Sequence, residues 1–344
     1  MNIRRYSGEA VRSADDLALS VMKSAERPTA RCDIYSISLS GADIDRANLG
    51  IDLADIPGHI AIKGGAARQM LEAVVLGRQV KKRPRDIDIV LYRDGVDWRG
   101  EYGWDKALSD WHHLEHQLSP RDAAYNSRGA EVLESVEEYM DEQDFTINQA
   151  LLIPQADKWR LLATTQAIID TANSIIRPTV YEYDQEKGYY LSNKLSLKAV
   201  RLLSEMQQDG REASLRSVDL RRGVYGEPRH DDFMQLLHLD KALSSGYDLA
   251  CCYIENLHRF GIMHDSVVDE DDPIAAYQIL LREHGGFAPS DEVQLLLDRR
   301  AEDAARREEL AKQAIGNYDE DLFGLSYRLM MQVPSRYTDD YFNR

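Results

Sequence analysis

The sequence predicts an α+β protein, with strands and helices mixed in its first half and helices alone in its second. Two observations lead there. Apolar runs with the two-residue alternation of strands, "CDIYSISL" at 32–39 and "RPRDIDIVLY" at 83–92, lie early in the chain. After "IIRPT", which ends at Thr179, apolar residues recur at helical spacing.

Taken in order, residues 8–25 have helical spacing and 32–39 alternate as a strand, within an N-terminal extension, 1–56, that has no assigned role. From 57 the pattern sharpens. "PGHIAIKGG" gives a turn, a short strand and a double glycine, and "AARQMLEAVVLG" a helix closed by Gly77. A basic turn and the strand 83–92 follow, then an irregular stretch, 95–128, rich in Trp, His and Tyr, before apolar spacing returns over 131–152. Residues 57–180 thus form one domain and 181–344 a helical one, with helices over 192–209, 230–260, 273–284, 290–315 and 319–332. In the helix over 290–315, Glu302 with Arg306, Asp303 with Arg307 and Glu308 with Lys312 are i, i+4 pairs that suit an exposed face.

Composition narrows the function. The 344 residues include 42 Lys and Arg against 59 Asp and Glu, a net charge of −17. Proteins that coat nucleic acid draw their affinity from basic surface, so a general coat is excluded and a local basic patch is not. Cys32 and the adjacent Cys251 and Cys252 make no disulfide framework. No apolar run nears a membrane span and no signal-peptide pattern opens the sequence, so a soluble cytoplasmic protein without membrane contact is expected.

The strand "RPRDIDIVLY" poses a chemical question. Asp86 and Asp88, at i and i+2, point to one face, where carboxylates repel and lose hydration. An exposed edge strand would tolerate them. So would Mg²⁺ or Mn²⁺ held between them, and two such ions activate an attacking hydroxyl and stabilise a leaving pyrophosphate. Upstream, Gly64-Gly65 stands at a strand-to-helix junction, a plain tight turn or a place where backbone N–H groups approach a phosphate.

Three stretches in order, "IKGGAARQMLEAVVLGRQVKKRPRDIDIVLY", "AEVLESVEEYMDEQDFTINQALL" and "IIDTANSIIRPT", resemble the class II tRNA CCA-adding enzymes and bacterial poly(A) polymerases. Their head domain reads G-G-x-V-R-D, then D-x-D in a strand, then R-R-D-F-T-I-N-A. The resemblance spans roughly residues 58–203. It implies a nucleotidyltransferase head with a mixed sheet, followed by a helical neck and body. It implies template-independent transfer of a nucleoside monophosphate from an NTP, ATP or CTP, to an acceptor hydroxyl, an RNA 3′ end such as that of tRNA. Asp86 and Asp88 would be the catalytic, metal-holding pair, and Glu131 a third carboxylate. Gly64, Gly65 and Arg68 would face the triphosphate, and Asp144 and Asn148 the sugar. As local structure alone, "DFTIN" reads as a helix start capped by Asp144 or Thr146, with Phe145 in the core.

The departures matter as much. Gln69 stands where the family has an aspartate, and Glu142 and Gln143 where it has two arginines that help hold the nucleotide. In the neck motif that reads the base edge, Ser192 and Leu195 fill the informative places and Lys198 and Arg201 keep basic character. Of two basic runs, "GRQVKKRPRD" is either a solvated turn or a cluster that steers triphosphate or an RNA end toward the aspartates, and "REASLRSVDLRRGVYGEPRH" is a candidate to track an RNA backbone along the neck; Lys81, Lys82, Arg83, Lys198, Arg201, Arg221 and Arg222 are the candidates for RNA. Two rivals follow: the same fold modifying a protein or small molecule, and a catalytically inactive nucleotide- or RNA-binding module. "HHLEH", His112 to His116, has the spacing of inverted zinc-peptidase helices but no third ligand, and reads as an exposed helix turn.

Overall fold

The computed structural model describes residues 14–24, 33–92, 103–119, 130–155, 158–185, 188–216, 220 and 228–315. They fall into two compact units, one drawn from residues 1–191 and 211–219, the other from 192–210 and 220–344. The helix expected over 319–332 lies outside the described residues.

The elements of the first unit run α1 (Ala14–Ser24), β1 (Ile34–Ser38), α2 (Gly41–Ala47), β2 (Ile60–Ile62), α3 (Gly64–Leu76), β3 (Ile89–Tyr92), α4 (Gly103–Leu118) and β4 (Val132–Leu133). There follow α5 (Val136–Asp141), β5 (Ala150–Gln155), β6 (Lys158–Thr164), α6 (Thr165–Ala172), β7 (Ile175–Ile176) and a hairpin of β8 (Glu182–Asp184) with β9 (Gly188–Tyr190). Six strands form a mixed sheet in the order β1-β6-β5-β2-β3-β4, antiparallel except for the β3–β4 pair. This mixed α and β architecture is compatible with the α+β class.

Strand alternation sorts the core onto two faces. Ile37, Ile62, Ile89, Leu91, Leu152 and Leu161 pack with Met70 and Leu71 of α3 and Trp111 of α4. Ala61, Val90, Leu133, Leu151 and Leu162 form a smaller cluster with Tyr139 and Met140 of α5. Three sequence readings change here. The stretch read as an N-terminal extension is, in its described part, sheet and core: β1 pairs along its whole length with β6, from Ile34 opposite Thr164 to Ser38 opposite Arg160, and Ala18, Leu49 and Leu53 are buried. A partner so distant in sequence leaves no local mark. Within the stretch read as irregular, α4 buries Ala107, Trp111 and Leu114 as a narrow helical stripe that its charged and aromatic residues obscure.

The third change concerns the aspartates. The ladder of β3 begins at Ile89, opposite Ile62, and not at Arg83. The Lys63 N–H still donates to the Asp88 carbonyl at 2.9 Å, but there the chain leaves the sheet for α3, so the β2–β3 ladder does not continue to the residues before Asp88. The Ile87 N–H is satisfied by the Leu118 carbonyl at 3.2 Å.

After α7 (Asn193–Gln208), β10 (Ser214–Leu215) pairs in parallel with β7, which places residues 211–219 in the first unit. Among the described residues, the regular elements of the second unit are helices: α7, α8 (Pro228–Ser245), α9 (Tyr247–Phe260), α10 (Pro273–Glu283) and α11 (Asp291–Ile315). Where one helix was expected over 230–260 there are two, because Gly246 at φ 139° takes a conformation that breaks the helical path. Leu197, Leu239, Tyr253, Leu257 and Tyr277 build this unit's core. Fully buried Asp240 accepts from the Tyr277 hydroxyl at 2.9 Å and from the Ser290 N–H at 3.0 Å. Among the described residues, no helix is long and apolar enough to cross a membrane.

Candidate active site

β2 ends at Ile62, and the chain enters α3 through Lys63, Gly64 and Gly65. Gly64 stands at φ +63°, and a Cβ there would collide with a carboxylate oxygen of Asp88. Glycine is needed twice, for the left-handed backbone and for room beside the acid. Asp88 therefore abuts the first turn of a 13-residue helix, whose N-terminal N–H groups and dipole favour anions.

Although the strand starts late, the alternation holds upstream of it. Ile87 and Ile89 are 4% and 5% exposed, whereas Asp86 and Asp88 are half-buried. Both carboxylates are thus in phase with Val90, which belongs to the cluster around Tyr139. Asp86 is ion-paired with its neighbour Arg85.

Tyr139, on α5, joins the parts. Its hydroxyl lies 3.5 Å from the Gly64 nitrogen and 3.4 Å from the Ala150 carbonyl. Burial raises the phenol's pKa, and nearby Asp88, Glu131 and Asp144 push it the same way, so it stays a neutral donor. Glu131, expected as a third carboxylate, is ion-paired with Lys63.

A second array reaches α3 one turn on, at Arg68. The "DFTIN" stretch forms a 3-10 turn, Thr146–Asn148, in which Asn148 donates to Asp144 at 2.8 Å and accepts from Arg68 at 3.1 Å. Neither Asp144 nor Thr146 caps this turn: the N-cap position is Phe145, fully buried, and no side chain caps it. Thr146 instead donates to buried Asp170 at 2.6 Å, and Arg177 clasps the same carboxylate at 2.8 and 3.0 Å. That bond raises the Arg177 pKa further. With the Thr179 N–H on the Asp144 carbonyl at 3.0 Å, the "DFTIN" and "IIRPT" stretches hold each other in place.

Of the residues expected in the site, Gly64, Asp88, Arg68, Asn148 and Asp144 are linked through α3 and Tyr139, and Gly65 and Asp86 adjoin them in sequence. The basic candidates separate. Lys81, Lys82 and Arg83 are exposed on the connection between Gly77 and Asp86. Lys198 and Arg201 lie on α7 in the second unit, where Arg201 pairs with Glu205 and donates to His238 Nδ1 at 3.3 Å. Arg221 and Arg222 lie outside the described residues. The side chain of Arg211, from the second basic run, is 6% exposed and bound to Glu72 at 3.0 Å. His112, His113 and His116 are exposed on α4.

Gln69 holds the carbonyls of Ala47 and Lys82, and Gln143 the carbonyl of Tyr139, so both departures from the resembled pattern serve the scaffold. Sequence reasoning missed Lys63, Tyr139 and Asp170. Lys63 directly precedes the glycines and Asp170 is a lone acid in an apolar run; nothing local marks Tyr139. No protein-family model matches the chain, and no curated protein matches it.

Among the described residues no group of three or more His, Cys, Asp or Glu side chains is gathered as a metal cage. Mg²⁺ asks for less, being held by one or two carboxylates plus ligand phosphates. The donor set here, Asp88 against a glycine turn with Asp86 two residues away, fits that chemistry.

Proposed function

We propose that the protein is a metal-dependent nucleotidyltransferase, moving a nucleoside monophosphate from ATP or CTP to an acceptor hydroxyl at an RNA 3′ end such as that of tRNA. The observation that carries this reading is the contact of Asp88 with Gly64 at the start of α3. It sets a carboxylate beside a phosphate-binding turn, the pairing that this chemistry requires. Asp86 and Asp88 would hold Mg²⁺ or Mn²⁺, which supplies charge neutralisation on the phosphates and activation of the attacking oxygen.

The chain's own groups have separable parts. The first-turn N–H groups of α3 take phosphate oxygens, and Arg68, one turn on, adds a cation that Asn148 keeps oriented. Asp144, fixed by Asn148 and by the chain reversal at Thr179, accepts from a sugar hydroxyl. Neutral Tyr139 braces the turn without adding charge.

The test is incorporation of labelled NTPs into total RNA. Asp88→Ala, folded by circular dichroism, is expected to lose about 100-fold or more, the scale on which removing one preorganised electrostatic group acts. Turnover at the wild-type rate refutes the assignment. A second reading, the same transfer onto a protein or small molecule, is favoured by the net charge of −17 and by an acid, Glu142, where the resembled family has an arginine. Label entering a protein or small-molecule fraction instead of RNA selects it.

A further inference from the structure

The connection from Gly77 to Asp86 carries Arg78, Lys81, Lys82, Arg83 and Arg85 in a chain of net charge −17. A turn that is merely solvated needs no fastening, yet this one is bolted down through its backbone. Gln69 Nε2 donates to the Lys82 carbonyl at 2.8 Å and to the Ala47 carbonyl at 2.7 Å. Asn48 Nδ2, at the left-handed end of α2, donates to the carbonyls of Val80 and Lys81 at 3.2 and 3.3 Å. The Val80 N–H reaches the Arg46 carbonyl at 2.9 Å, and Gln79 Nε2 the Asp45 carbonyl at 3.1 Å. Gly50, at φ +78°, makes room for the stem of Arg83: a Cβ there would stand 2.8 Å from Arg83 Cδ.

Carbonyls of three successive residues are therefore held by the scaffold, while the side chains of Lys81, Lys82 and Arg83 are exposed. Fixing the backbone beneath like charges keeps them together against their own repulsion and concentrates positive potential on one patch. We propose that this clamped loop is the docking surface for the phosphodiester backbone of a single-stranded RNA acceptor, with Gln69 as its positioning residue. The proposal rests on the nucleotidyltransferase reading. It assigns the loop to RNA because the triphosphate on the glycine turn is served by the start of α3 and by Arg68, whereas the loop leaves α3 at its opposite end, after Gly77. Three consecutive exposed cations, Lys81, Lys82 and Arg83, suit a polyanion that extends beyond the glycine turn.

The experiment is fluorescence anisotropy of a labelled single-stranded RNA oligonucleotide across a salt series, with ATP binding measured in parallel by calorimetry. The triple variant Lys81→Ala, Lys82→Ala, Arg83→Ala is expected to bind RNA at least 10-fold more weakly at low salt. Its slope of log affinity against log salt should fall by about 2, three phosphate contacts at about 0.7 each. Its ATP affinity should not change. Gln69→Ala keeps every charge and is expected to weaken RNA about fivefold, as loss of two carbonyl contacts allows, with ATP affinity again unchanged, which a general loss of folding would not spare. Wild-type RNA affinity and slope in the triple variant overturn the proposal, as does a loss confined to ATP. If NTP incorporation persists with unchanged RNA affinity, the docking surface alone falls. If no NTP is incorporated but the triple variant loses RNA, the surface stands and the reaction falls.

Discussion

At Gly64 one missing methyl group serves both backbone and chemistry. An L-residue in the left-handed region costs about 1–2 kcal/mol, and at this position the added Cβ also evicts the Asp88 carboxylate. Gly64→Ala should lower the urea midpoint modestly while cutting NTP incorporation far more than the lost stability accounts for, when assayed where the variant is still folded. An activity loss no larger than the unfolded fraction would mean that the Asp88 contact carries no chemistry. Asp170 shows the complementary case, a residue away from the glycine turn that holds the 3-10 turn Thr146–Asn148. Its buried carboxylate takes bonds from Thr146, Gln166 and Arg177, and so fixes the turn from which Asn148 reaches Arg68.

At the scale of elements, the contact of α7 with α8 contains a group that reports on pH. His238 is 4% exposed, and its Nδ1 accepts from Arg201. Burial lowers its pKa well below the ordinary value, and the cations Arg201, Lys241, Lys198 and Lys194 add to the effect. The unfolded chain therefore binds this proton first. Stability from the neutral histidine is complete above about pH 6.5 and declines below it, by at most about 1.4 kcal/mol per pH unit. His238→Gln keeps an acceptor for Arg201 and removes the titration. Its melting temperature is expected to fall less than that of the wild type between about pH 7 and pH 5.5, the range in which histidine titrates. Parallel curves for the two proteins would place the acid sensitivity elsewhere.

For the whole molecule, the sheet unit and the helical unit each own a hydrophobic core, so one two-state transition is not required of the chain. A ligand bound at the glycine turn stabilises the unit that holds it. At a hundred times its Kd, ATP with Mg²⁺ should add about 2.7 kcal/mol, visible in calorimetry as an upward shift of one transition that Asp88→Ala loses. Equal shifts in wild type and variant would separate nucleotide binding from the aspartate pair.

The sequence by itself determined the strands and helices whose periodicity is local: β2, the helix from Gly64 to its Gly77 cap, and α7, α10 and α11. The resemblance also named Gly64 and Asp88, which touch, and Arg68, Asn148 and Asp144, which are joined in line by hydrogen bonds. What the sequence left to the tertiary structure depends on distant partners. The alternation of β1 was legible, but its place at the sheet edge is set by β6 far downstream. Tyr139 matters because Gly64 and Ala150 converge on it, and Gln69 because the end of α2 and the basic loop bring their carbonyls to its amide. Periodicity is written between neighbours in the chain and can be read there; a hydrogen bond across the fold belongs to two segments at once, and neither carries its mark until both are in place.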